Sequence, residues 1–116
     1  MGNPVVHFEI GGVDAERSRT FYSSLFGWSV RTDHRGYGLV ATGSDDGIAG
    51  GIMATPPDVP PWVTFYVGVD DVEKALVRAE ELGGRRIMGP VPVEGVGRMG
   101  MFADPDGNPI GLFADG

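Results

Sequence analysis

A strand that runs into an aspartate-capped helix occurs twice in this chain, and the repeat restricts the possible folds more than any other feature. In WVTFYVGVDDVEKALVRAEELGG, residues 62–84, Val63, Phe65, Val67 and Val69 alternate with Trp62, Thr64, Tyr66 and Gly68. That period of two, rich in β-branched and aromatic residues, marks a strand. Asp70 stands where it can accept from the free amides of a first helical turn, and Glu73, three residues on, can reach back in a capping box. Val72, Ala75, Leu76, Ala79 and Leu82 then recur at helical spacing until Gly83 and Gly84 end the run. VVHFEIGGVD from Val5 has the same order of strand, glycine and capping aspartate; Asp14 corresponds in role to Asp71 and Gly27 to Gly84. Each helix is about three turns long, and two or three short strand-like runs follow it. The sequence therefore predicts an α+β fold of two tandem β-α-β-β-β modules, about 4–55 and 62–115, within one domain spanning 1–116.

In chain order, the first strand covers 5–10, with Val5, His7 and Glu9 on one face and Val6, Phe8 and Ile10 on the other. The first helix covers 14–26, with Ala15, Phe21, Tyr22 and Leu25 expected to point inward. Strands follow over 28–32, 37–42 and 48–54. TPPDVPP, residues 55–61, cannot donate a regular ladder of hydrogen bonds and reads as a stiff connector, centred on 56–61. In the second module, 85–88 is a short strand, 89–95 a loop holding two prolines, 97–103 a strand and 110–113 the last strand. Between the final two lies DPDG, residues 104–107, a tight turn in which Gly107 is free to take positive φ.

Composition narrows the function classes. At 116 residues the chain is long enough for one ordinary core, which neither module could bury alone. A net charge of −7 and nine scattered Lys and Arg argue against nucleic acid or anionic membrane as partners. The absence of cysteine rules out disulfides, thiolate metal sites and a Cys nucleophile. Residues 1–10 show no leader pattern and no run approaches membrane-spanning length, so a cytoplasmic protein is the expectation. There is no Ser-His-Asp order, no phosphate-cradling glycine loop followed by Lys, and no usefully spaced carboxylate pair; Asp45 and Asp46 are turn residues.

The DPDGN turn before a last strand, the strand-Asp-helix start and the doubled β-α-β-β-β order together resemble the vicinal oxygen chelate superfamily, which includes glyoxalase I, bleomycin-resistance proteins and extradiol dioxygenases. The resemblance covers nearly the whole chain. It implies a cupped mixed sheet with helices on the convex face and a ligand cavity on the concave face. By that scheme His7 and Glu9 of the first strand, and Thr64 and Tyr66 of its counterpart, face the cavity. Metal-dependent members place one ligand in the first and one in the last strand of each module, and the matching positions here are His7, Gly51, Thr64 and Gly111. Glycine offers no donor and a neutral threonine hydroxyl is a poor one, so no metal and no other cofactor is expected.

Each remaining candidate has two readings. His7 is either a hydrogen-bonded structural histidine or a ligand contact or general base; Glu9 either orients His7 or is solvated at a cavity mouth. Trp62, Tyr66, Trp28 and Phe113 suit either stacking on a planar ligand or the core. Met53, Met88, Met99 and Met101 either line an adaptable pocket or fill gaps. Glycines at 50, 51 and 111 weaken strands unless a ligand, a bulge or a close approach needs them. The expected function is metal-free binding of a small, partly apolar or aromatic molecule by His7, Glu9, Gly51, Trp62, Thr64, Tyr66, Gly111 and Phe113, in a sequestration or resistance role. The alternatives are a glyoxalase- or dioxygenase-like or metal-free isomerase-type enzyme with His7 or Glu9 as base, and a scaffold without a ligand. A homodimer is expected, because open sheets of this kind leave edge strands to be paired.

Overall fold

A computed structural model of the chain describes residues 2–115. The elements run β1 (Val5–Gly12), α1 (Ala15–Phe26), β2 (Ser29–Thr32), β3 (Gly38–Ala41), β4 (Gly50–Ala54), β5 (Trp62–Gly68), α2 (Val72–Glu81), β6 (Arg85–Val93), β7 (Gly97–Ala103) and β8 (Pro109–Asp115). This is the doubled β-α-β-β-β order. Contacts group the chain into two compact units, residues 7–64 and residues 1–6 with 65–116, so that the division passes through β1 and β5. In the unit of residues 7–64 the strand order is β2-β3-β4-β1, with β1 parallel to β4 and the other pairs antiparallel. In the other unit it is β5-β8-β7-β6, with β5 parallel to β8 and β7 antiparallel to both neighbours. Each sheet is mixed. Among the described residues no helix is long and apolar enough to cross a membrane.

Both helices start at an aspartate in extended conformation. The Asp14 carboxylate accepts from the Arg17 amide at 3.1 Å, and Gly27, at φ 73°, ends α1 by donating its N–H to the Ser23 carbonyl at 2.8 Å. At α2 the cap is Asp71, accepting from the Lys74 amide at 3.0 Å, and not Asp70. The helix begins at Val72, which places Asp70 one residue too early to reach the free amides. Glu73 does not complete a capping box either; its carboxylate pairs with Arg86 at 2.8 Å. That pairing holds the Glu73 carboxyl below its ordinary range.

The two helices bury different amounts. Val72 and Leu76 of α2 are buried with Leu112 and Ala114 of β8, and Val67, Val69, Ala75 and Phe102 pack around them. Burial of side chains this size stabilises by about 1.5–3 kcal/mol each. No residue of α1 is fully buried, and Phe21 and Leu25, expected to face inward, are 57% and 58% exposed. Its attachment is aromatic instead. Trp28 has ring centroids 5.4 Å from Phe8, 5.8 Å from Tyr22 and 5.0 Å from Phe26.

The loop expected over 89–95 is also corrected. β6 continues through a cis Gly89–Pro90 bond to Val93, with register shifts against β7 on either side of Met88. Prolines remove ladder donors, which is tolerable here because β6 is the edge strand of its sheet and pairs only with β7 on the described side. The DPDG turn is as expected: the Gly107 amide donates to the Asp104 carbonyl at 2.8 Å and Gly107 has φ 92°.

Candidate functional site

His7 and Glu9 lie two residues apart on β1, and strand alternation puts both side chains on one face. Glu9 is 3% exposed. A carboxylate at that depth needs hydrogen-bond donors, because each unsatisfied one would cost about 1–3 kcal/mol or more. Two aromatic residues supply them. The Tyr37 hydroxyl donates to Glu9 Oε1 at 3.0 Å, and the Trp62 indole Nε1–H donates to Glu9 Oε2 at 3.0 Å. The same Tyr37 oxygen lies 2.8 Å from His7 Nε2. A phenol has a single proton and an ionised carboxylate can only accept, which assigns that proton to Glu9 and leaves the Tyr37 oxygen to accept from a protonated His7 Nε2. The result is a directed chain, His7 to Tyr37 to Glu9.

Local structure explains how two distant rings reach Glu9. Tyr37 follows the turn between β2 and β3, where Asp33 accepts from the amides of Arg35 at 2.8 Å and Tyr37 at 3.1 Å and pairs with the Arg35 guanidinium. That guanidinium covers the Tyr37 ring at 5.7 Å, and its hydrogen bond pulls the Asp33 carboxyl below its ordinary range. Trp62 opens β5 directly after the proline-rich connector, which is folded back by the Val59 amide donating to the Pro56 carbonyl at 3.1 Å and by the Thr55 hydroxyl donating to the Val59 carbonyl at 2.9 Å.

Glycines then provide the room. Glu9 is in register with Gly51 of β4. A Cβ added at Gly51 would fall within the Tyr37 ring, and one at Gly11 would meet the Trp62 ring at 3.3 Å and Thr55 at 2.9 Å. Both rings lie on the sheet only because glycine lies under them. The other unit repeats the device. Tyr66 is in register with Gly111, and its ring lies 2.5 Å from where a Gly111 Cβ would stand. On the opposite face of β4, Phe8 covers Gly50 in the same way.

Of the residues singled out in the sequence, His7, Glu9, Gly51 and Trp62 come together, with Thr64 buried in the same unit. Tyr66, Gly111 and Phe113 belong to the other unit, where Phe113 pairs with Met99 across β7 and β8. Trp28 belongs to the aromatic group that holds α1. Tyr37, the hub of the chain, was missed. Its signal was indirect: a carboxylate on a sheet face beside a strand glycine calls for a donor whose ring can lie over that glycine.

Burial pushes the His7 imidazole below its ordinary pKa, and the nearby Glu9 charge only partly opposes this. His7 is therefore mostly neutral at pH 7, in agreement with its role as a single Nε2–H donor. The donor set does not fit the divalent ion that the resemblance implies. His7 Nε2 and both Glu9 oxygens already serve Tyr37 and Trp62, aromatic rings stand over Gly51 and Gly111, and no group of three His, Cys, Asp or Glu suited to a metal occurs among the described residues. A separate concavity is lined by Val13, Thr55 and the connector residues 56–61, and it does not include the cluster.

Similarity to known proteins agrees with this architecture. Anthracycline biosynthesis protein DnrV of Streptomyces peucetius is 32% identical over 126 residues, covering 94% of this chain and 46% of the relative. The chain thus spans about half the length of the curated relatives it matches. Among solved structures, hypothetical protein BH1468 of Bacillus halodurans superposes with a TM-score of 0.73 at 13% identity, covering 100% of this chain and 96% of that one. Methylmalonyl-CoA epimerase of Mycobacterium tuberculosis superposes with a TM-score of 0.69 at 15% identity, covering 97% and 87%. These structural likenesses concern the fold. The sequence profile of the Glyoxalase/Bleomycin resistance protein/Dioxygenase superfamily matches residues 5–112, and the chain belongs to that superfamily.

Proposed function

We propose that this protein binds a small, planar, partly aromatic molecule without a metal, on the sheet face that carries His7, Glu9, Tyr37 and Trp62, in a sequestering or resistance-like role. One observation carries the reading: Glu9 is buried with each carboxylate oxygen hydrogen-bonded, while His7, Tyr37 and Trp62 around it stay only partly buried. A flat apolar ligand stacks on such rings, each good aromatic contact adding about 0.5–1.5 kcal/mol beyond area burial. Polar substituents on its edge meet the imidazole and phenol. The similarity to a protein named for anthracycline biosynthesis supports the same ligand chemistry, since anthracyclines are fused planar rings bearing hydroxyl and keto groups. Gly51, beneath the Tyr37 ring, shapes this face from below. The protein acts in this reading as a cytoplasmic homodimer, and a light-scattering mass equal to the 12.3 kDa chain at micromolar concentration would contradict the dimer.

The test uses a Trp28→Phe background, which leaves Trp62 as the single tryptophan. A hydroxylated anthraquinone should quench its fluorescence saturably and raise the melting temperature, and calorimetric titration of Trp62→Leu should find binding weakened about tenfold, a loss of about 1.4 kcal/mol. Greater stabilisation by a sugar phosphate, or binding indifferent to Trp62, would overturn the proposal. A second reading, a metal-free enzyme, draws on the depressed pKa of His7, which keeps a neutral imidazole available for proton transfer. Turnover of an enolisable ligand that vanishes in His7→Gln would favour it over simple binding.

A further inference from the structure

We propose that the Tyr37 phenol takes the place of a metal ion on this face, joining the His7 imidazole to the Glu9 carboxylate by hydrogen bonds where a divalent cation would join them by coordination. Three observations converge on it. The Tyr37 oxygen lies between the two groups, 2.8 Å from His7 Nε2 and 3.0 Å from Glu9 Oε1, and so fills the point at which a cation would contact both. Its ring covers Gly51, the register partner of Glu9, so that no side chain can project from that position while the ring is there. The ring is held from behind by the Asp33–Arg35 turn and does not rest on the sheet alone.

The glycine and the tyrosine thus form one device. A carboxylate at position 51 and a phenol from position 37 compete for one volume, and the chain has the phenol. A carboxylate introduced beside the buried Glu9 would also add like charge, which a cation relieves and a phenol does not. This holds whether or not the face also binds an aromatic ligand.

The test compares Gly51→Glu with the pair Gly51→Glu, Tyr37→Ala, each melted with and without Zn²⁺. The single variant should be strongly destabilised and gain nothing from zinc. The pair, with the ring removed, offers His7, Glu9 and the new carboxylate to one ion, and zinc at a thousandfold excess over its Kd should raise the melting temperature clearly, because only the folded form binds. His7→Ala in the paired background should abolish that rise. The unaltered protein should show no His7-dependent zinc stabilisation. Zinc stabilisation of the unaltered protein that needs His7, or of Gly51→Glu as large as that of the pair, or none in a folded pair, would overturn the proposal. Tyr37→Phe keeps the ring while removing only its hydroxyl and provides an independent check: the His7 Nε2–H NMR signal should shift and exchange faster with solvent, and an unchanged signal would also overturn it.

Discussion

Two helices that start alike are used differently. Asp14 and Asp71 cap α1 and α2 with the same geometry, yet α2 buries Val72 and Leu76 against β8 while α1 buries no residue completely and leaves Phe21, Leu25 and Phe26 more than half exposed. The sheet faces differ in the opposite sense. The unit containing α1 carries the hydrogen-bonded His7, Glu9, Tyr37 and Trp62, and the unit containing α2 carries the apolar cluster of Val72, Leu76, Leu112 and Ala114. The α1 copy combines buried Val40 and Ile52 with a polar, partly buried cluster, whereas the α2 copy packs an apolar cluster beneath its helix. The same element order occurs twice, and the side chains on it differ.

The largest effect should come from the core. Leu76→Ala, at a fully buried position, should cost about 2–5 kcal/mol, whereas Leu25→Ala should change stability by no more than about 0.5 kcal/mol. Chemical denaturation of both variants checks this. An equal cost at Leu25 would break the contrast and mean that the α1 surface is covered in solution. Next in size is Glu9→Gln. An amide cannot accept from both Tyr37 and Trp62 as a carboxylate does, so about 1–3 kcal/mol should be lost. The same change removes the charge that raises the His7 pKa, and NMR titration should find that pKa lower still. A smaller and equal effect is expected at the caps: Asp14→Ala and Asp71→Ala should each cost about 1 kcal/mol, and unequal losses would show that the two helix starts are not equivalent.

The smallest effect is a pH dependence. The folded His7 pKa is depressed, so the unfolded chain takes up this proton first as pH falls. Stability is therefore higher above the unfolded pKa of about 6.5 and declines as pH drops from there to the folded pKa. Melting curves in that window should slope less in His7→Asn than in the unaltered protein. The lowered carboxyl groups of Asp33, Glu73 and Asp104 act only below about pH 4.5 and leave this window clear.

Much of the fold was legible because local rules governed it. Period-two alternation marked β5, and Asp14 with Gly27 marked the ends of α1. Reading failed where tertiary context decided. Two adjacent aspartates left the start of α2 open by one residue, and only the backbone at Asp71 resolved it. Pro90 and Pro92 suggested a loop, although an edge strand tolerates them. Phe21 and Leu25 had helical spacing toward a core, but the anchoring of α1 went to Tyr22, Phe26 and Trp28. At the site, His7, Glu9 and Gly51 were visible as face-sharing residues. Tyr37 was not, because it reaches His7 from 30 residues away through a turn whose geometry depends on Asp33 and Arg35. The strand glycines at 51 and 111 called for a ligand, a bulge or a close approach, and the close approach is made by one of the chain's own rings at each.

The central claim, that the first copy of the repeat presents a directed His7–Tyr37–Glu9 chain as its ligand-contact face, is tested most directly by nitrogen and proton NMR of the His7 ring at pH 7, alone and during titration with a hydroxylated anthraquinone. The expected result is a neutral imidazole protonated at Nε2, with slowly exchanging Nε2–H, whose resonances move and saturate as the ligand binds. A charged or Nδ1-protonated ring, or ligand-induced shifts confined to α1 and the connector while His7 stays unmoved, would contradict it.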